Sequence, residues 1–106
     1  MAYNVVLTAD AERPLRSLTV RKQRIVEDGV EDRLIDQPLR LSRAIKALHA
    51  NPFAQYELRL DADLRVLYQV SHDEQVVTIV AVGEKAANKL IVEGREFHEH
   101  ESHPVE

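Results

Sequence analysis

YELRLDADLRVLYQVSHDEQVVTIVAVGEK, residues 56–85, is the stretch that decides the fold. Tyr56, Leu58 and Leu60 alternate with Glu57, Arg59 and Asp61, the period of a half-buried strand. Asp61-Ala62-Asp63 reads as a turn. Leu64, Val66, Tyr68 and Val70 then alternate with Arg65, Leu67, Gln69 and Ser71. His72-Asp73-Glu74 reads as a second turn, and Gln75–Val82 is apolar on both faces, as a central strand is; Gly83 is read as its end. The expectation is a three-stranded antiparallel meander whose cations Arg59, Arg65 and Lys85 occupy strand positions or strand ends. Arginines in such places either solvate a face or build an anion site.

Upstream, Tyr3–Thr8 is a short β-prone run. Thr8 or Asp10 is positioned to cap a helix reaching about Leu18, although Pro14 removes a backbone donor inside it. From Thr19 to Ile35, apolar Val20, Ile25, Val26, Val30 and Leu34 recur at roughly helical spacing. Gly29 weakens that helix by about 1 kcal/mol relative to alanine, and Asp36-Gln37-Pro38 is a stop. Leu39–Phe53 is open between a third helix over Ser42–Ala50 and an extended connection; Asn51-Pro52 is a turn in either case. Leu90-Ile91-Val92 reads as one more short strand. The fold class is α+β: an N-terminal strand, then a helical hairpin packed on one face of a small antiparallel sheet, leaving the other face open. Arg65 shares that open face with Leu67 and Gln69.

The chain has 106 residues, enough for one domain with one core. Residues 1–92 form the domain and 93–106 an acidic, solvated tail. No apolar run approaches the roughly 20 residues that span a bilayer, and MAYNVVLT lacks a basic start and long apolar region, so a cytoplasmic, non-membrane protein is expected. Without cysteine there is no disulfide, thiol nucleophile or cysteine-ligated zinc. The net charge is −4, and residues 93–106 supply it, with five acidic side chains against Arg95. The neutral body carries a local excess of base over residues 40–65, where Arg40, Arg43, Lys46, Arg59 and Arg65 outnumber Glu57, Asp61 and Asp63. His98, His100 and His103 suggest metal binding, but an acidic tail without cysteine makes a poor preorganised site. No metal or other cofactor is expected.

The order strand, helical hairpin, meander, with Tyr56-x-Leu58-Arg59, Leu64-Arg65-Val66-Leu67-Tyr68-Gln69-Val70 and Val80-x-Val82-Gly83, resembles the RelE/ParE superfamily of toxins from type II toxin–antitoxin modules. The resemblance covers about residues 3–92. It implies a toxin held inactive by a cognate antitoxin. RelE-like members are ribosome-dependent endonucleases that cut mRNA; ParE-like members share the fold and inhibit DNA gyrase without cleaving nucleic acid. In the RelE-like pattern two lysines alternate on the strand that spans Tyr56–Leu60 here, and those positions hold Glu57 and Arg59. The strand-opening arginine is Arg65, the cation after the glycine-ended strand is Lys85, and the C-terminal tyrosine position holds Ile91.

Metal-independent RNA cleavage through the 2′-hydroxyl needs a base, cations around the pentavalent phosphate and an acid for the leaving 5′-oxygen. Arg65 and Arg59 suit the phosphate because a guanidinium donates two parallel hydrogen bonds, with Lys85 as a point charge. Glu57 is the candidate base; His49 and His72 are candidate acids. Arg43, Lys46 and His49, in the basic connection, are candidate RNA contacts. The plainer alternative is a cross-strand ion pair between Arg65 and Glu57 or Asp61. The expected partners are an antitoxin and the ribosome with its mRNA, or DNA gyrase.

Overall fold

A computed structural model of the chain describes residues 2–86, 89–92 and 95–97. In chain order the elements are β1 (Asn4–Leu7), α1 (Ala9–Ser17), α2 (Val20–Arg33), β2 (Ile45–Ala47), β3 (Tyr56–Leu60), β4 (Leu64–Ser71), β5 (Val76–Ala86), β6 (Lys89–Val92) and β7 (Arg95–Phe97). The strands form one sheet ordered β2-β3-β4-β5-β6-β7, and β1 pairs with β5. The β3–β4–β5 meander is antiparallel as its alternation requires. β1 lies parallel to the start of β5, with Val5 beside Val77, so the sheet is mixed. The two intervening helices supply the crossover that a parallel pairing needs.

The helices begin where threonine can cap them. The Thr8 hydroxyl accepts the Ala11 N–H of α1, and the Thr19 hydroxyl accepts the Lys22 N–H of α2. Pro14 does not break α1: the lost donor would have met the carbonyl of exposed Asp10, and the proline ring is itself buried. α1 lies over β1 and β5, while α2 lies over β3 and β4. Val26, Leu34, Leu58, Val66, Tyr68 and Ile79 are among the side chains that make the core between helices and sheet. Lys22 of α2 donates to the Glu84 carboxylate of β5, and that hydrogen bond raises the lysine's pKa.

Gly29 sits close against the Leu60 side chain. A Cβ built on it would clash with both Cδ1 and Cδ2 of Leu60, so a larger side chain there needs the leucine to move. Gly29→Val is therefore expected to overpack this contact and cost about 1–3 kcal/mol despite glycine's poor helix propensity. A thermal melt checks it, and a midpoint at or above that of the parent chain would show the contact to be unimportant.

Residues 39–53 take the extended course rather than forming a third helix, and β2 is a short edge strand within them. Asn51 organises the turn after it: its Oδ1 accepts from the Phe53 and Ala54 amides, and its Nδ2 donates to the His49 and Ala54 carbonyls. The segment then folds onto the sheet's second face, where Gln69 donates to the Pro52 and Phe53 carbonyls. That face is thus partly covered, with a small apolar cluster of Ala54, Leu67 and Ala81. β5 does not stop at Gly83; β1 supports its first half and β6 its last residues, so it continues to Ala86. β7 lies within the acidic segment 93–106, and His98, His100 and His103 fall outside the described residues. Among the described residues no helix is long and apolar enough to cross a membrane.

Candidate functional site

The pleat sorts the meander's side chains. Leu58, Val66 and Tyr68 face the helices, so their neighbours Glu57, Arg59, Arg65 and Leu67 face the other way. On that second face Arg59 and Arg65 stand directly opposite each other, and Glu57 stands opposite Leu67 on one side and Lys46 on the other. Directly opposed side chains have Cβ atoms roughly 5 Å apart, and like charges so placed repel. Gly83 is the β5 neighbour of Arg65, and Lys85 follows two residues on, its amide bonded to the Asp63 carbonyl at the β3–β4 turn. Lys46, Glu57, Arg59, Arg65 and Lys85 thus form one connected patch.

Arg65 is not exposed on this patch, as its face alone implies, but buried: only 8% of it is accessible. Nor does it pair with Glu57 or Asp61. Its Nη1 donates to the Leu64 carbonyl at 2.8 Å and its Nη2 to the Ala62 carbonyl at 3.3 Å, which fixes the guanidinium against the β3–β4 turn. Its Nε is buried without a hydrogen-bond partner. A buried guanidinium satisfied only by neutral carbonyls is costly, and such an orphan donor calls for an explanation. Arg59 takes the carboxylate instead: its Nε donates to Glu57 Oε1 at 3.2 Å, with 38% of the arginine side chain and 12% of the glutamate's exposed.

The other candidates lie elsewhere. His72 sits at the far end of β4, seven residues or roughly 20 Å along the strand from Arg65, where its Nδ1 meets the Tyr3 hydroxyl at 3.2 Å. It is therefore too remote to protonate a leaving group at the arginine pair. His49 follows Leu48, whose amide bonds the Gln55 carbonyl, and so lies about five residues or roughly 16 Å along from the pair. It lines a shallow pocket with Leu48, Ala54 and Tyr56. Arg43 is exposed just before β2. Ile91 pairs with Glu84 on the helix-facing side, opposite the patch. Among the described residues no group of three or more acidic or histidine side chains is placed to hold a metal.

Sequence reasoning missed the Nη bonds of Arg65 to the turn and the closure of residues 48–54 over the second face. Neither leaves a periodic signal, because both depend on how a loop returns to the sheet.

No protein-family model matches the chain, and no curated protein matches it either. Solved structures do. A chain of the toxin–antitoxin complex RelBE2 from Mycobacterium tuberculosis superposes with a TM-score of 0.68 at 26% identity, covering 80% of this chain and all of that one (100%). A chain of the RelE–RelB complex from the archaeon Pyrococcus horikoshii gives a TM-score of 0.64 at 24% identity, covering 79% and 96% respectively. Coverage at this level takes in the greater part of the helices and sheet.

Proposed function

We propose that the chain, which shares its fold with chains of RelE toxin–antitoxin complexes, is the toxin of such a pair and grips RNA phosphate on the Arg59–Arg65 face. The observation that carries this reading is the cross-strand arginine pair with its buried, unpartnered Nε. A fold does not retain an unneutralised guanidinium opposite a second one for stability, whereas a phosphodiester held by the accessible Arg59 through charge-assisted hydrogen bonds brings a counter-charge to both. Lys46 and Lys85 flank the pair as point charges along the path of a strand. The partner that silences it is a RelB-like antitoxin, and the target is mRNA in the ribosomal decoding region.

If the chain cleaves that RNA, its own residues divide the work unevenly. Arg65 and Arg59 hold the phosphoryl oxygens and stabilise the charge that develops on them. Glu57, beside Arg59, takes the 2′-hydroxyl proton. No histidine among the described residues stands near enough to serve the leaving oxygen. That shortage is what a second reading starts from: a non-catalytic inhibitor acting by binding, as ParE-like proteins act on DNA gyrase.

Inducing the chain in cells and mapping new mRNA 5′ ends separates the two. Growth arrest with fresh ends inside coding sequence is the expected result. Arrest without new ends would transfer the reading to the non-catalytic inhibitor.

A further inference from the structure

Glu57 is a carboxylate placed among cations. Lys46 is directly across on β2, Arg59 is two residues along on the same face, and Arg65 is the diagonal neighbour on β4. It is largely buried, with 12% of its side chain exposed, and it holds the Nε of Arg59. That Nε belongs to the side-on edge with which an arginine grips a phosphate through two parallel bonds. The edge is therefore already in use. Among the described residues Lys46 and Lys85 make no ion pair, so the patch's acidic partner is committed to the arginine that is most accessible to a ligand.

We propose that Glu57 is a resident counter-anion, which stands in for the ligand's phosphate in the unbound protein and must be displaced before Arg59 can bind it. This rests on the phosphate-binding reading and adds what limits its affinity. In the unbound state the carboxylate offsets the repulsion between Arg59 and Arg65. In the bound state a phosphate does so, and the carboxylate becomes a like charge beside it. Removing it has opposite consequences in the two states: the unbound protein loses stability while the complex tightens. A carboxylate with a purely structural role would not strengthen binding when removed.

The test uses the full chain and a fluorescent single-stranded RNA with 2′-O-methyl riboses, which cannot be cut through the 2′-oxygen. Affinity is followed by anisotropy over a range of salt concentrations. Glu57→Gln and Glu57→Ala are expected to bind about tenfold tighter than the parent, the effect of one close charge at a partly exposed site. Their log affinity against log salt steepens by about 0.7, the increment for one more phosphate neutralised on a single strand. Both variants melt below the parent without RNA. Asp61→Asn is the control: it removes the same charge from an exposed turn residue at positive φ (54°), a conformation asparagine accepts, and should stay within about twofold. Glu57 variants that bind no better than Asp61→Asn overturn the proposal. So would Glu57→Gln and Glu57→Ala both failing to fold, because the carboxylate would then be a structural requirement. Arg65→Met separates the two levels. If it binds as the parent does, the phosphate-binding reading itself falls; if it binds weakly while Glu57→Gln gains nothing, only the counter-anion role falls.

Discussion

Arg65→Met is expected to abolish growth arrest on induction while the purified protein melts at the parent's temperature or a few degrees above it. The two halves of that result come from one observation. Arg65 is 8% exposed, faces another arginine across the strands and leaves its Nε unpartnered. Taking a guanidinium out of water costs several kcal/mol after relaxation, which two bonds to neutral carbonyls at about 1.5–3 kcal/mol each do no more than offset. Methionine has similar reach and a flexible apolar chain that fills the same channel. It also ends the repulsion with Arg59. In a domain of this size a change of about 1 kcal/mol moves the midpoint by about 4–8 °C, so the gain is measurable by circular dichroism. The proposed anion site, however, loses its fixed member, so arrest is expected to be lost with the charge. A midpoint more than about 5 °C below the parent, roughly the shift that 1 kcal/mol produces, would make Arg65 a structural residue. Arrest that survives the substitution would remove the arginine pair from the mechanism.

Tyr68→Ala is expected to cost about 3–5 kcal/mol, a large part of the roughly 5–15 kcal/mol that holds a domain together. The ring is fully buried, stacks on Tyr56 with centroids 5.4 Å apart and fills the centre of the helix-facing core. Its hydroxyl donates to the Pro38 carbonyl at 2.5 Å, tying the segment after α2 to β4. Tyr68→Phe isolates that bond: the ring remains, but a buried carbonyl loses its donor, at about 1–3 kcal/mol. Burial also raises the pKa of the Tyr68 phenol, with a smaller contribution from Tyr56. The folded protein therefore keeps a proton that the unfolded chain releases near about pH 10. Stability from this source is complete below about pH 10 and is lost as pH rises toward the folded value. Base-induced unfolding of Tyr68→Phe should accordingly begin from a lower stability but decline less steeply above about pH 10. Equal slopes for the two proteins would show that the phenol does not titrate with unfolding.

The alternation in residues 56–71 was legible because a half-buried strand writes its two faces into the sequence with period two. The same pattern placed Arg59 and Arg65 on one face without reference to any contact. It also explains why Glu57 was found beside Arg59, since residues i and i+2 share a face. What periodicity cannot encode is which strand lies alongside which. The parallel β1–β5 pairing, the edge strand β2 within the extended connection, and the passage of β5 through Gly83 all depend on contacts between distant segments. His72 illustrates the limit: it was a candidate acid by residue type alone, and strand rise carries it to the end of β4 opposite Arg65.

The sequence alone determined the helical hairpin, the meander strands and the face on which each meander side chain stands, because these follow from local sterics and from the period of burial; that Thr8 rather than Asp10 caps α1, and that Thr19 caps α2, was seen in the structure. Only the tertiary structure decided the state of the cations. Whether a guanidinium is exposed, paired or orphaned depends on the turn carbonyls and the returning loop around it. It is by that environment that Arg59 is paired with Glu57 while Arg65 is buried without a counter-charge.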